Sequence, residues 1–218
     1  MKKVLVALLL LQSVAFATPS TQIWNPSTDI QPLGVWHFGI DNYFTLEGPA
    51  EGGYAFPTDT GLTYGLLPGL EVGADVFLPQ SDPFTFNAKY GVGENGILPA
   101  VAVGGFGFGT KGGVTDQNVL YGVAAKTTPL GRLSVGYFSG NEKVLGAGEN
   151  SGLILTWDKT ITDKLWACVD YAGSKSVLGA TFYGISWIFA PNTSVIFGYG
   201  TYNNGAKPTV TTQLDINI

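Results

Sequence analysis

From about position 32 to the last residue, apolar and polar positions alternate with a period of two, the pattern of β-strands that have one apolar face. The alternation is clearest over residues 36–46 and 70–78, where large apolar side chains alternate with glycine and charged residues. Glycine and proline interrupt the chain too often for long helices. The pattern predicts an all-β chain of about twelve strands, within a range of ten to fourteen.

The connections between these runs alternate in length. Short turns are predicted at 67–69, 93–96, 128–130, 159–163 and 191–192, and longer loops at about 47–56, 80–83, 110–118, 140–150, 173–178 and 203–207. Short turns on one side and long loops on the other are typical of membrane-spanning barrels. The sequence therefore predicts an up-and-down antiparallel transmembrane β-barrel over residues 32–218.

The charged residues of the strands are predicted to lie opposite the apolar face, because a lipid-facing charge near the membrane midplane costs about 2–4 kcal/mol. The lumen and constriction candidates are Glu71, Lys89, Lys126, Arg132, Asp158, Asp215, His37 and Asp75. The first six form a mixed belt near the short turns, predicted as either a salt-bridged closure or a solute filter. His37 and Asp75 are predicted to lie higher, with Asp41 and Asp170, which gives the middle of the lumen an acidic bias.

A two-sheet sandwich of a soluble secreted protein also alternates with period two, and the aromatic residues favour the barrel over this alternative. They fall into two predicted girdles, one at each membrane interface, where Trp and Tyr are enriched. The first girdle is Trp36, Tyr64, Tyr90, Trp157 and Trp187, and the second is Phe44, Phe84, Tyr121, Tyr137, Tyr171 and Tyr199.

Residues 1–17 have the features of a signal peptide, with Lys2 and Lys3 before an apolar run and Ala15-Phe16-Ala17 as the cleavage site. The following segment, residues 18–31, is predicted to lie in the periplasm. Trp24 in this segment has several interpretations: a plug inside the barrel, a contact with the lipid interface, a contact with an unknown periplasmic partner, or part of a disordered leader.

Composition narrows the function classes. The chain is 45% hydrophobic and 12% charged, which excludes disorder, and its net charge of −5 argues against nucleic acid as a partner. The single cysteine, Cys168, allows no internal disulfide, and no spacing suggests a metal or another cofactor. The one histidine of the predicted mature chain, His37, lies about 13 Å along the strand from Asp41, too far for a catalytic pair. We therefore expect no enzymatic activity.

From Gly34 to Ile218 the alternation, loop pattern and girdles resemble the outer-membrane β-barrel proteins of Gram-negative bacteria, although the chain ends in isoleucine where such proteins commonly end in an aromatic residue. The resemblance implies an outer-membrane location with lipid and lipopolysaccharide as neighbours. About twelve strands and many inward glycines predict a narrow porin-like channel for small solutes with a mild preference for cations. The alternative is a closed structural or adhesive barrel that acts through its extracellular loops or its N-terminal segment.

Overall fold

The computed structural model describes residues 20–146 and 149–218, so the predicted signal peptide lies outside the described residues. The strands are β1 (Trp36–Phe44), β2 (Thr58–Leu67), β3 (Leu70–Leu78), β4 (Phe84–Val92), β5 (Ala100–Gly109), β6 (Val119–Thr128), β7 (Gly131–Ser139), β8 (Ser151–Thr162), β9 (Leu165–Gly173), β10 (Ala180–Ala190), β11 (Thr193–Tyr202) and β12 (Thr209–Asn217). Two short helical turns, Pro49–Glu51 and Glu142–Leu145, lie in loops. Over the described ranges, no helix has the length and apolar character needed to cross a membrane.

The twelve strands form one closed antiparallel ring. Each strand pairs with its neighbours in sequence, and the ring closes where β1 pairs with β12, with Phe38 opposite Ile216 and Tyr43 opposite Thr211. Two-residue turns alternate with longer loops around the ring, except that the β4–β5 connection on the short-turn side, residues 93–99, is seven residues long. The predicted up-and-down antiparallel barrel of about twelve strands is confirmed.

The polarity of the barrel is the reverse of that of a soluble protein. Phe84 and Phe197 on the outer face are about half exposed, at 51% and 48%, whereas Glu71 and Lys89 on the inner face are 1% and 2% exposed. An apolar exterior around a polar interior is stable in lipid, because every backbone group of a closed ring is paired and the outer side chains are apolar. The soluble sandwich is therefore wrong for this chain.

Strand β6 departs from the predicted orientation. Val119 and Val123 are buried inside the barrel, whereas Leu120 is 61% exposed on the outside. The inner surface is apolar here because the loop between β7 and β8 folds inward, so that the fully buried Leu145 packs in one cluster with Val119 and Val123. Tyr121 of the predicted second girdle therefore lies inside, with its ring 6.1 Å from that of Phe106.

The N-terminal segment also differs from its predicted periplasmic position. Residues 20–31 lie inside the barrel, where Ile23 and Trp24 pack against side chains of the inner wall. Of the four interpretations of Trp24, the structure agrees with the first, a plug inside the barrel. The physical reason is that the inner wall offers aromatic rings, buried charges and glycine-lined space that match this short segment of polar and apolar residues.

Candidate functional site

The lumen is the candidate site, and a compact hairpin formed by residues 20–31 occupies part of it. Thr21 and Pro26 form an antiparallel bridge, and the Gln22 N–H donates to the carbonyl of Asn25 at 2.8 Å. Ser27 N–H donates to the carbonyl of Ser20 at 3.2 Å. The hairpin therefore has its own backbone hydrogen bonds, and its apex is residues 23–25.

The apex is docked on the carboxylate of Asp170 in β9. The backbone N–H groups of Ile23, Trp24 and Asn25 all donate to Asp170 Oδ2, at 3.1, 2.9 and 3.2 Å. Three successive N–H groups around one anionic oxygen form the concave arrangement that proteins use to bind anions. Asp170 is 1% exposed, so these charge-assisted bonds are shielded from water.

Trp24 anchors the apex in an aromatic cluster. Its ring stacks on Phe182 with centroids 4.9 Å apart and meets Tyr43 edge-on at 5.2 Å, and its indole N–H donates to the carbonyl of Leu178 at 2.8 Å. The neighbouring Ile23 fits over Gly184, where an added Cβ would lie 2.7 Å from Ile23 Cδ1. Part of the space that the inward glycines leave is thus filled by the hairpin.

A buried ion pair holds both ends of the hairpin. Lys89 Nζ lies 3.2 Å from Glu71 Oε1 and donates to the carbonyl of Ser20 at 3.0 Å. Glu71 Oε2 accepts from the backbone N–H of Gln31 at 2.6 Å. The same two charges therefore neutralise each other and fix the first and the last residues of the hairpin.

Arg132 and Asp158 form a second ion pair that contacts the hairpin. Arg132 Nε donates to Asp158 Oδ1 at 2.9 Å, and Arg132 Nη1 lies 2.7 Å from Asp29 Oδ1. Asp158 also accepts from Gln22 Nε2 at 2.9 Å and from the indole of Trp166 at 3.1 Å. We call Glu71, Lys89, Arg132, Asp158 and Asp170 the clamp, because all five bind the hairpin.

His37 and Asp215 lie together beside the base of the hairpin. His37 Nε2 is 3.5 Å from Asp215 Oδ1, and His37 Nδ1 is 3.1 Å from Asn217 Oδ1, which also accepts from Gln31 Nε2 at 3.2 Å. His37 was predicted higher in the lumen, but the pairing of β1 with the last residues of β12 places it at this end. Its ring positions the base of the hairpin through Asn217.

Lys126 is the one predicted belt residue that lies outside the lumen. Because β6 is oriented opposite to the prediction, its side chain points outward at the strand end and its Nζ lies 2.6 Å from Glu94 Oε1 in the turn before β5. The long lysine side chain carries the charge from an outward position to the membrane surface. Hydrogen bonds from Lys126 and from the N–H and hydroxyl of Thr127 lower the pKa of Glu94 to about 2.

Three carboxylates face the lumen on adjacent strands: Asp41 on β1, Asp59 on β2 and Asp75 on β3. Asp41 and Asp59 are directly opposite each other in the strand pairing, and Asp75 is opposite Gly61. Asp75 accepts from Asn87 Nδ2 at 2.8 Å, but among the described residues none of the three has an ion-pair partner. All three are partly exposed. We call them the acidic wall.

The structure places residues in the lumen that the sequence analysis did not place there. Asp59 was not among the predicted lumen residues but faces the lumen from β2, and Asp29, expected in the periplasm, binds Arg132. Phe182 and Trp166 are large aromatic residues on the inner face, and they pack in the cluster that contains Ile23 of the hairpin. No pattern in the sequence indicated that Asp170 binds the hairpin apex.

Comparison with known proteins finds the same architecture. The structure is similar to an outer membrane channel from Pseudomonas putida, with 8% sequence identity, a TM-score of 0.51, and coverage of 88% of this chain and 98% of that one. It is similar to the KdgM porin (10% identity, TM-score 0.51, 83% and 97% covered) and to the NanC porin (9%, 0.50, 82% and 97%). No protein-family model and no curated protein matches the chain.

At this low identity the likeness shows the fold. The shared fold and the apolar exterior confirm the predicted membrane-spanning β-barrel architecture, which is that of outer-membrane proteins. What passes through the lumen depends on the side chains inside it, which differ between barrels of one architecture.

Proposed function

We propose that this chain is a narrow outer-membrane channel for small solutes with a mild preference for cations. The observation that carries the proposal is the acidic wall: Asp41, Asp59 and Asp75 are partly exposed inside the barrel and lack ion-pair partners among the described residues. Unpaired carboxylates lining a narrow water path raise the local concentration of cations and repel anions.

The clamp supports a narrow passage over a wide one. Its charges are paired with each other or bind the hairpin, so they are not available to coordinate a passing ion. The hairpin occupies part of the lumen, where it contacts the clamp and the aromatic cluster. In the proposed channel, small solutes pass along the acidic wall. The mixed belt therefore acts as a structural network that shapes the constriction, and the acidic wall supplies the preference for cations.

Channel recording tests the proposal. The wild-type chain, refolded in detergent and shown to be folded by heat-modifiable migration on gels, is inserted into planar bilayers. We expect discrete conductance steps and, in a salt gradient, a reversal potential on the cation-selective side. In the triple variant Asp41→Asn, Asp59→Asn, Asp75→Asn, we expect the reversal potential to move toward zero while the steps persist.

A control removes an oppositely charged pair outside the lumen. In the variant Glu94→Gln, Lys126→Ala, the removed charges lie at the membrane surface, so we expect the selectivity of the wild type. Folded protein that leaves the bilayer sealed would refute the channel, and an unchanged reversal potential in the triple variant would refute the role of the acidic wall.

One observation favours a second candidate function, a closed barrel that acts through its loops. Besides the hairpin, two extracellular loops are tied together: Lys207 Nζ lies 3.3 Å from Glu47 Oε2, and the Tyr54 hydroxyl donates to the carbonyl of Lys207 at 2.8 Å. A structural or adhesive barrel would then contact lipopolysaccharide or another surface through these loops. If this second candidate is correct, the folded barrel should show no conductance steps in the planar bilayer.

The proposal describes a channel and not an enzyme. The contacts of His37 with Asp215 and Asn217 are those of a structural residue beside the hairpin. We propose membrane lipid around the apolar exterior and small solutes in the lumen as its partners. No cofactor is part of the proposal.

A further inference from the structure

The contacts of the hairpin have the character of a bound ligand. Its backbone–backbone hydrogen bonds run within the hairpin, whereas each of its hydrogen bonds to the wall described above involves a side chain of the wall or of the hairpin. Asp170 accepts three of its N–H groups, and Gln213 Nε2 and Tyr43 Oη both donate to the carbonyl of Ile23, at 2.8 and 3.3 Å. Together with the stacking of Trp24, these contacts form a binding site for a peptide turn that carries a tryptophan.

We propose that the hairpin is a displaceable, tethered blocker and that the wall beneath it is a peptide-binding site which the hairpin occupies. Release of the hairpin widens the lumen. A change in conductance on release depends on the proposed channel function. Release of the hairpin itself does not depend on it.

The base of the hairpin is exposed to water. It leaves the lumen at the end with the short turns, through the exposed residues 32–34, before β1 begins. Gly34 has a φ of +79°, a conformation that other residues rarely adopt, and no atom lies within 4 Å of an added Cβ. Asp29 at this end has a side chain that is 50% exposed. The connection is therefore accessible to water.

The barrel wall remains electrostatically satisfied when the hairpin leaves. Lys89 stays paired with Glu71, and Arg132 stays paired with Asp158, because both pairs are formed within the wall. Water that enters can hydrate Asp170 in place of the three N–H groups. Release therefore leaves no isolated buried charge, which is the main penalty for breaking such contacts elsewhere.

The chain carries its own reporter of release. Cys168, the only cysteine, faces the lumen, is 2% exposed and belongs to the buried cluster that contains Ile23. Its strand partner is Gly184, the residue that Ile23 covers. A water-soluble thiol reagent gains access to Cys168 when the hairpin moves away.

The test measures the labelling rate of Cys168 by a small cationic methanethiosulfonate in the full chain in detergent micelles. When release is rapid compared with labelling, the rate follows the population of the released state. We expect Trp24→Ala to be labelled at least about tenfold faster than the wild type, since a tenfold change in population corresponds to about 1.4 kcal/mol of lost contact energy. Asp29→Ala removes only a partly exposed ion pair, and about two- to fivefold is expected.

The matched control is Trp36→Ala, which removes a tryptophan from the outer face, where Trp36 packs on Tyr64. Its labelling rate should equal that of the wild type. A synthetic peptide with the sequence of residues 20–31, added in excess, should slow the labelling of Trp24→Ala, and the same peptide with alanine at the tryptophan position should not. Gel mobility after labelling verifies that the labelled barrel is folded.

The outcomes separate this proposal from the channel. Equal labelling of Trp24→Ala, Asp29→Ala and Trp36→Ala, or failure of the peptide to protect, overturns the displaceable blocker even if the wild type conducts. Faster labelling with peptide protection supports it even if the bilayer stays sealed, in which case the channel function is the part that fails. Larger conductance steps in Trp24→Ala than in Trp36→Ala support both.

Discussion

The clamp and the acidic wall lie in the same lumen, but their carboxylates have opposite environments. Glu71 in the clamp is 1% exposed and binds both Lys89 and the N–H of Gln31. Asp59 in the acidic wall is partly exposed, and the strand pairing places it directly opposite another carboxylate, Asp41. The carboxylates of the clamp are paired with a cation or bind the hairpin, whereas the partly exposed carboxylates of the acidic wall have no ion-pair partner among the described residues. In the proposed channel, this unpaired charge marks the water path.

The largest expected effect comes from breaking the clamp at its most buried ion pair. Lys89→Met leaves Glu71 buried without its partner, which should cost about 3–5 kcal/mol of unfolding free energy. Denaturant unfolding in detergent, followed by heat-modifiable migration, measures the loss.

The double variant Glu71→Gln, Lys89→Met is the control for this prediction. It removes both charges, so its loss should be clearly smaller than that of Lys89→Met. If the double variant is as unstable as the single one, the loss reflects packing and not unpaired charge.

The next effect concerns the apex of the hairpin. Asp170→Ala removes the acceptor of three N–H groups. Leaving buried donors unsatisfied should lower the free energy of unfolding by about 2–3 kcal/mol. The loss is smaller than for three fully unsatisfied donors, because water can enter the site. Asp163→Ala, in the turn between β8 and β9, removes the same group outside the lumen and should leave the unfolding curve unchanged. Similar curves for both variants would contradict the docking of the apex.

In the acidic wall, removing a carboxylate should raise the free energy of unfolding, the opposite of the effect of Asp170→Ala. Asp59→Asn removes a like charge directly opposite Asp41, and stability should rise by up to about 1 kcal/mol. The measurement is the same unfolding curve. A loss as large as that of Asp170→Ala would mean that the acidic wall is held by contacts like those of the clamp.

The smallest effect is expected outside the lumen, at Glu94. Its pKa is lowered from 4.5 to about 2, so the ionised form stabilises the folded state. This contribution is fully present above about pH 4.5 and is lost as the pH falls through about 2. Wild type and Glu94→Gln should therefore differ slightly at neutral pH, and the difference should disappear as the pH falls below 2. Carboxyl chemical shifts of Glu94 measure the titration directly.

The barrel was predictable because its pattern has a single physical cause. In β3 a lipid-facing apolar series alternates with Glu71, Gly73 and Asp75, and only one orientation keeps charge out of lipid. In β6 both faces are apolar, since Val119 and Val123 pack inside on a loop residue, Leu145. The alternation of β6 therefore does not indicate which face points inward. For this reason the predicted orientations of Lys126 and Tyr121 were wrong.

The hairpin was not predictable in the same way. Residues 20–31 have no alternation, and their position depends on contacts with Asp170, Lys89 and Arg132, which are more than 60 residues away in sequence. The mixed belt was predicted as either a salt-bridged closure or a solute filter, and five of its six members lie in the lumen. What they bind besides each other required the three-dimensional arrangement.

The seam between β1 and β12 couples the two ends of the barrel sequence. Trp36 and Ile218 exchange two backbone hydrogen bonds, at 3.0 and 2.8 Å, so the last residue completes the ring. A nascent chain without β12 is an open sheet with two unpaired edges, which lipid does not tolerate. The seam joins the two strands most distant in sequence, so its closure has the largest loop-closure cost of the twelve strand pairings. Because the hairpin directly precedes β1, zipping of this seam is also the moment at which the barrel encloses it.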